Sequence, residues 1–419
     1  MKVFNARHFL RHIGMPTLQY FAEAHPLGKR LSIDWALSPD LLPATLSDAI
    51  DQLGAVSQHA ALTADEREAI EQDIWLWQDD LQRAYLMSNS LATQEFRSVC
   101  ADDPMALAVF QDLDEREIAL WMLTHRDKGF RDVELHLAFL AKTNGRYWKK
   151  HRIQSGLCPS QDRTQLEAFC QAVAQLYKKA GAGDGVHVEF SERQADHSIQ
   201  LTLYVEGPVT ALTHFSQSQF NRITTRIALE TALVYYPGTG IIETIVKGGG
   251  KVHTAVLALF GEHVVQQVIT PEEIEKPPLK LNALRDSVFE PTPDWSSLNV
   301  QGVRVRRARF SPSDKLAVSL NIEASADQHD EDAVVVARQR LRFKQSFEVE
   351  YTLDRATVTV YRTPHDKGTV HHFSFDLSAS GASTITNLSI QNQPIAQAVL
   401  VTLGVIDADD NPLRQLAAA

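Results

Sequence analysis

Arginines concentrate in two short segments late in the chain, and their spacing suggests anion recognition. Four of them crowd one predicted strand, at Arg304, Arg306, Arg307 and Arg309. In the second segment cations alternate with other residues, at Arg338, Arg340, Arg342 and Lys344. If this segment is a strand, its cations share one face about 6.6–7 Å apart, because alternate side chains of a strand point the same way. Such a row could follow the phosphate backbone of a nucleic acid.

The cations of the second segment can also be explained without a ligand. Residues 330–341 follow an acidic stretch and fit a helix, which would scatter the cations around its axis. Pairing of the cations with Glu348 and Glu350 on a neighbouring strand is a further alternative. The sequence leaves the choice between strand and helix open for residues 330–344.

A third basic run contains two aromatic residues. Its cations are Lys142, Arg146, Lys149, Lys150, His151 and Arg152, with Tyr147 and Trp148 between them. Aromatic rings among cations suit the stacking of nucleic-acid bases, so Lys149 and Lys150 are candidate contacts. A helix end anchored by Trp148 explains the same pattern without a ligand.

The familiar catalytic and metal-binding motifs each lack a required residue. Gly248-Gly249-Gly250-Lys251 separates a predicted strand from a helix, but Ile245 and Val252 stand where a Walker A loop needs Gly and Ser or Thr. His187-Val188-Glu189 lacks the cysteine pair of zinc deaminases. We therefore expect no cofactor and no metal, and we assign no catalytic residue. A hydrolytic site assembled between domains would draw on Asp196, His197, His371 and Asp376.

Composition places the chain among ordinary globular proteins. Its 419 residues suggest two or three domains at roughly 100–200 residues each. The formal net charge of −11 argues against attraction of the whole surface to nucleic acid or anionic lipid. The sequence contains no run of about 18 apolar residues and only three cysteines. Residues 1–9 show no signal-peptide pattern. These features predict a cytoplasmic protein without a membrane partner.

The fold class predicted from these patterns is α+β, with a helical N-terminal domain over residues 1–183. Thr63 and Glu66 match a capping box at the start of a long helix. Further helix starts are predicted at Asp103-Pro104, at Asp114 with Glu117, and at Ser160. The glycines at 181, 183 and 185 mark the end of this domain.

Beyond residue 183 the apolar pattern changes to the period of two that is typical of strands. Residues 184–270 are predicted to form an antiparallel sheet with a helix, including a hairpin that turns at Pro237-Gly238-Thr239-Gly240. Residues 271–299 are interpreted as a linker that opens with a helix start at Thr270–Glu273. Residues 300–419 are predicted to form a second α+β sheet domain ending in a helix over 395–403.

Several aromatic and turn residues are similar to a family of uncharacterised bacterial multidomain proteins. The similarity is carried by Tyr20-Phe21, Ile33-Asp34-Trp35, Trp121, Phe130, Trp148, residues 235–243 and Phe260. It implies a bacterial origin and a shared multidomain layout. Because the family has no established activity, it implies no catalytic or binding residue. Such proteins often occur in accessory or defence gene clusters.

Three functional hypotheses follow. The first is a non-enzymatic cytoplasmic protein that recognises a macromolecular partner, most simply another protein, within a bacterial antiviral defence system. The second is a nucleic-acid-binding accessory protein that uses the arginine-rich strands of the C-terminal domain. The third is a hydrolase with a site between domains. The sequence favours the first, because three substantial domains carry no recognisable catalytic motif.

Overall fold

The structure is a computed structural model that describes most of the chain. The described residues are 4–38, 41–56, 62–143, 145, 147–216, 219–275, 278–285, 299–312, 319–324, 331–341, 351–363, 370–385, 388–389 and 392–407. Within them no helix is both long and apolar enough to cross a bilayer.

The described helices are concentrated in the first part of the chain, as the sequence predicts, with three more after residue 249. They are α1 (Ala6–Leu10), α2 (Met15–Ala24), α3 (Pro26–Arg30), α4 (Leu42–Val56), α5 (Ala64–Leu86), α6 (Ser90–Val99), α7 (Pro104–Val109), α8 (Glu115–His125), α9 (Asp127–Lys142), α10 (Arg163–Tyr177), α11 (Gly250–Leu259), α12 (Ala333–Leu341) and α13 (Asn392–Thr402). Short 3-10 turns cover Lys178–Ala180 and Leu281–Leu284, and a π-helical turn extends α11 over Phe260–Val265.

The described strands form two antiparallel sheets, which confirms the α+β class. They are β1 (Trp148–Arg152), β2 (Val186–Glu192), β3 (Ile199–Ser216), β4 (Gln219–Tyr236), β5 (Ile241–Ile245), β6 (Glu272–Glu273), β7 (Val300–Pro312), β8 (Leu320–Glu323), β9 (Tyr351–Arg362) and β10 (His371–Ser378). One sheet has the order β2-β3-β4-β5-β1-β6 and the other the order β10-β9-β7-β8.

Local capping fixes the helix starts that the sequence predicts. Thr63 Oγ1 accepts from the Glu66 amide at 3.3 Å, and Glu66 Oε2 accepts from the Thr63 amide at 2.8 Å. Asp114 and Glu117 form a second capping box at α8. The start of α10 differs from the prediction, because the carboxylate that caps it belongs to Asp162, two residues after Ser160.

The chain divides into two compact units, Met1–Phe139 with Pro159–Glu230, and Leu140–Cys158 with Thr231–Ala419. In the first unit the helices bury a core that includes Trp77, Phe96 and Phe130. The domain limits predicted from the sequence stay a prediction.

The second unit contains the predicted hairpin. β4 and β5 pair from Ala232↔Ile245 to Tyr236↔Ile241. Gly240 closes the turn with φ +68°, a left-handed conformation that glycine adopts without strain. The Tyr235 hydroxyl donates to the Gln154 carbonyl at 2.8 Å, which ties the neighbouring loop to the hairpin.

Two predictions about secondary structure are wrong. The basic run at Trp148–Arg152 is not a helix end but strand β1, paired with β5 on one side and β6 on the other. Glu272 and Glu273 form β6 instead of starting a helix. Both errors have one cause, because main-chain pairing with a strand distant in sequence outweighs weak local helix signals.

Candidate nucleic-acid interface

The C-terminal sheet has one face in an apolar core and a second face that carries mostly polar side chains, which we call the open face. Val303, Val305 and Phe310 of β7 are buried with Val358 and Val360 of β9. Val334 of α12 and Val399 and Leu400 of α13 belong to the same apolar cluster. Because successive strand residues point to opposite faces, the polar residues between these positions lie on the side away from this core.

A β-bulge puts all four arginines of β7 off the core face. The pairing with β9 shifts between Val305↔Val358 and Arg307↔Thr357, which leaves Arg306 as the extra residue. With strict alternation, Arg307 and Arg309 would point to the core face, away from the side of Arg304 and Arg306. The extra residue of the bulge returns both side chains to the polar face.

The bulge borders a concave pocket of about 330 Å³ on the open face. Arg306 and Arg307 form one side of the pocket, together with Glu323 of β8. Tyr361 and His372 are among the residues that form the other side. The pocket therefore combines guanidinium groups with rings and hydroxyls, at a volume within the range of small-ligand sites.

Contacts within the sheet hold the pocket arginines in place. The Arg307 Nε donates to Glu323 Oε1 at 2.7 Å, and both side chains of this pair are exposed. The Arg306 guanidinium donates to the carbonyls of Glu331 and Ala324, each at 3.4 Å. These contacts orient the two guanidinium groups without covering the pocket.

Two arginines also lie opposite each other on neighbouring strands of the sheet. Arg309 of β7 is the direct register partner of Arg355 of β9. Like charges at opposed positions repel each other. Arg309 lies 3.6 Å from Asp354 Oδ2, which offsets part of this repulsion. An anion bound near the pair would relieve the remainder.

The other side of the pocket offers rings and hydroxyls on adjacent strands. The rings of Tyr361 and His372 have their centroids 5.9 Å apart. The Thr359 and Ser374 hydroxyls are 2.8 Å apart on the same two strands. This arrangement can stack a planar ring and hydrogen-bond to polar edges.

The second arginine-rich segment is helical where the structure describes it. Asp332 starts α12 by accepting from the Val334 and Val335 amides at 2.9 and 3.1 Å. Residues 333–341 therefore form a helix and not a strand, so Arg338 and Arg340 do not belong to a row of cations on one face of a strand. Arg342 and Lys344 lie outside the described residues.

Lys149 and Lys150 belong to β1 and contact acids on neighbouring strands. The Lys149 ammonium donates to both oxygens of Glu273, at 2.5 and 2.7 Å, and Lys150 lies 3.5 Å from Glu243 Oε1. Trp148 Nε1 also donates to Glu243, at 3.0 Å. These pairs provide a structural role for the basic run, while nucleic-acid contact by the two lysines stays a prediction.

The residues considered for hydrolysis have local structural partners. Asp196 accepts from Arg193 Nη1 at 2.7 Å and from the Ser198 amide at 3.0 Å. His197 is exposed at a positive φ of 52°. Asp376 accepts from Thr357 at 2.6 Å. Among the described residues no three His, Cys, Asp or Glu side chains are grouped to hold a metal ion.

Comparison with known proteins assigns no family to the chain. The sequence matches no protein-family model, and the search of curated proteins returned no significant match.

Proposed function

We propose that the protein recognises a macromolecular partner, a single-stranded nucleic acid, with the open face of its C-terminal sheet. The observation that carries this proposal is the pocket lined by two arginines and two rings, those of Arg306, Arg307, Tyr361 and His372. Guanidinium groups form charge-assisted hydrogen bonds with phosphate oxygens, and aromatic rings stack on exposed bases.

A single strand fits this face better than a duplex. A base can enter a concave pocket only when it is free of its pairing partner and neighbours, as it is in a single strand. The exposed Ser374 hydroxyl, 2.8 Å from the buried Thr359 hydroxyl, can hydrogen-bond to the polar edge of such a base. Paired bases in a duplex present only their groove edges.

The ion pair at the pocket does not block phosphate binding. Arg307 and Glu323 are more than half exposed, and exposed pairs of this kind contribute roughly 0–1 kcal/mol. A phosphate can therefore replace Glu323 as the partner of Arg307 at little cost. The local excess of arginine on this face also explains how a chain of net charge −11 would attract a polyanion.

We place this activity in the cytoplasm. Cys100, Cys158 and Cys170 are all free thiols, which suits a reducing compartment. A cytoplasmic location also brings the protein together with single-stranded RNA and with unwound DNA.

Fluorescence anisotropy with a labelled single-stranded oligonucleotide tests the proposal across a salt series. Affinity should fall as salt rises, because bound cations on the nucleic acid are released by the protein. Arg307→Ala should reduce the slope of log K against log salt by about 0.7, the value for one phosphate contact on a single strand. Tyr361→Ala should weaken binding by about 1–3 kcal/mol at every salt concentration, because a stacking contact is lost.

Arg163→Ala is the matched control, since Arg163 is an exposed arginine paired with Glu167 on α10. It should bind like the unmodified protein. Absence of binding at low salt, or equal affinities for all three variants, would overturn the proposal. Equal affinity for a duplex of the same sequence would overturn the preference for single strands.

A further inference from the structure

In the first unit, β3 and β4 extend well beyond the residues that pair with β2 and β5. β2 pairs with β3 only along Ile199–Val205, and β5 pairs with β4 only along Ala232–Tyr236. We call residues 208–216 and 219–228 the hairpin arm. Two strands alone are marginally stable in water, so an arm of this length gains stability from a binding partner.

The hairpin arm exposes large apolar side chains close to its tip. Phe215 is 68 % exposed and Phe220 is 66 % exposed, with their rings 5.6 Å apart. Val209, which is 58 % exposed, lies on the same face as Phe215 by alternation, whereas the exposed Leu212, Ile223 and Ile227 lie on the opposite face of the two strands. A concentration of exposed apolar groups of this size marks an interaction surface.

The charge of the hairpin arm indicates what kind of surface it binds. Residues 207–229 contain no Asp or Glu, although the whole chain has 52 of them. Arg222 and Arg226 are the charged side chains of the arm, and both are exposed. Arg226 donates to the carbonyls of Gly181 and Gly207 and lies 3.3 Å from Glu206 Oε1, so the charge offered to a partner comes mainly from Arg222, four residues closer to the end of the arm. The complementary surface is therefore apolar and acidic.

Helix α5 provides such a surface on its solvent side. Trp75 is 48 % exposed and Leu76 is 51 % exposed. Glu68, Gln72 and Asp79 lie on the same side of the helix, because residues three and four positions apart are neighbours on a helix surface. The other exposed charges of α5 are the carboxylates of Asp65 and Glu66.

The two surfaces also match in length. The 23 residues of α5 extend about 35 Å at 1.5 Å per residue. Nine residues of one strand of the arm extend about 30 Å. Each copy of the chain carries both surfaces, one apolar and cationic and the other apolar and acidic.

We propose that the hairpin arm of one copy docks on the outer face of α5 of a second copy, so that the protein self-associates head to tail. The contact joins two different surfaces, and such heterologous contacts build rings or open chains. This inference is independent of the proposed nucleic-acid binding, which uses the other unit.

Sedimentation velocity of the full-length protein tests this arrangement. The unmodified protein should form concentration-dependent oligomers. Phe220→Ser on the arm and Trp75→Ser on α5 should each leave the protein monomeric, because every contact needs one intact arm and one intact helix face. Mixing the two variants should give a defined 1:1 dimer that does not grow, because one intact arm and one intact helix face remain. That recovery also shows that both variants are folded.

Charge exchange tests the polar part of the contact. Arg222→Glu and Asp79→Arg should each weaken self-association, and the chain that carries both changes should recover it. Val268→Ser removes an apolar side chain that is 90 % exposed elsewhere and should have no effect. An unmodified protein that stays monomeric at high concentration overturns the proposal. So does a mixture of the Phe220→Ser and Trp75→Ser variants that forms no dimer.

Discussion

His253 Nδ1 and Thr244 Oγ1 lie 2.8 Å apart in the interior of the second unit, where both residues are almost fully buried. Burial, together with the neighbouring Lys149 and His151, lowers the pKa of His253 to about 4, whereas Glu273 opposes the shift. Burial likewise lowers the pKa of His136, in the first unit, to about 3. The folded protein therefore keeps these imidazoles neutral at pH values where the unfolded chain protonates them.

The free energy of unfolding should fall as the pH drops below about 6.5. The unfolded chain binds a proton at each site there while the folded chain does not, which favours unfolding. Each of these histidines should cost about 2 kcal/mol between pH 7 and pH 5. Urea denaturation followed by tryptophan fluorescence at the two pH values measures the difference. His253→Gln should shrink it. An identical difference in His253→Gln would contradict the prediction.

Glu134 connects two arginines in the first unit, and its removal should be costly. It accepts from Arg83 Nε and Nη2 at 3.0 and 3.1 Å and from Arg131 Nη1 at 2.8 Å. Glu134→Ala should destabilise the fold by about 3 kcal/mol, because two partly buried guanidinium groups lose a shared carboxylate. The exposed pair on α10 is the comparison, and Glu167→Ala should cost at most about 0.5 kcal/mol. Equal midpoints of chemical denaturation for the two variants would be inconsistent with this role.

Gly28 allows α2 and α3 to approach closely. A Cβ at this position would lie 1.8 Å from the Ala22 carbonyl oxygen, which is backbone and cannot move aside. Gly28→Ala should therefore destabilise the protein by about 2 kcal/mol or more. Gly238, in the hairpin turn, has open space around the same position, so Gly238→Ala should change stability by less than about 0.5 kcal/mol. Thermal denaturation of the two variants checks this contrast.

Asp332 links the start of α12 to the strand that carries the bulge. Besides capping the helix, it accepts from the Val305 amide at 2.7 Å. Asp332→Ala should cost about 2 kcal/mol and speed hydrogen exchange at the Val305 amide. Asp162, which caps α10 through the Gln165 amide, is the control for capping alone, and Asp162→Ala should cost about 1 kcal/mol. Unchanged exchange at Val305 in Asp332→Ala would show that the aspartate does not hold the bulged strand.

Features that depend on neighbouring residues could be predicted from the sequence. The capping boxes at Thr63 and Asp114 involve residues three positions apart, and the turn at residues 237–240 connects strands adjacent in the chain. For the candidate site, the sequence identified the arginines of β7. It missed Tyr361 and His372 as pocket residues, because they come from strands more than 50 residues further along the chain. It also missed the hairpin arm, although the absence of acids over residues 207–229 was a visible signal.

The sequence by itself determined the α+β class, the helix starts at Thr63, Asp103 and Asp114, and the presence of an arginine-rich strand, because each follows from patterns within a few residues. Only the tertiary structure decided that Trp148–Arg152 is a strand and that the bulge at Arg306 turns Arg307 away from the core. Both depend on pairing with distant strands, and the free energy of such pairing is set by partners that no local pattern contains.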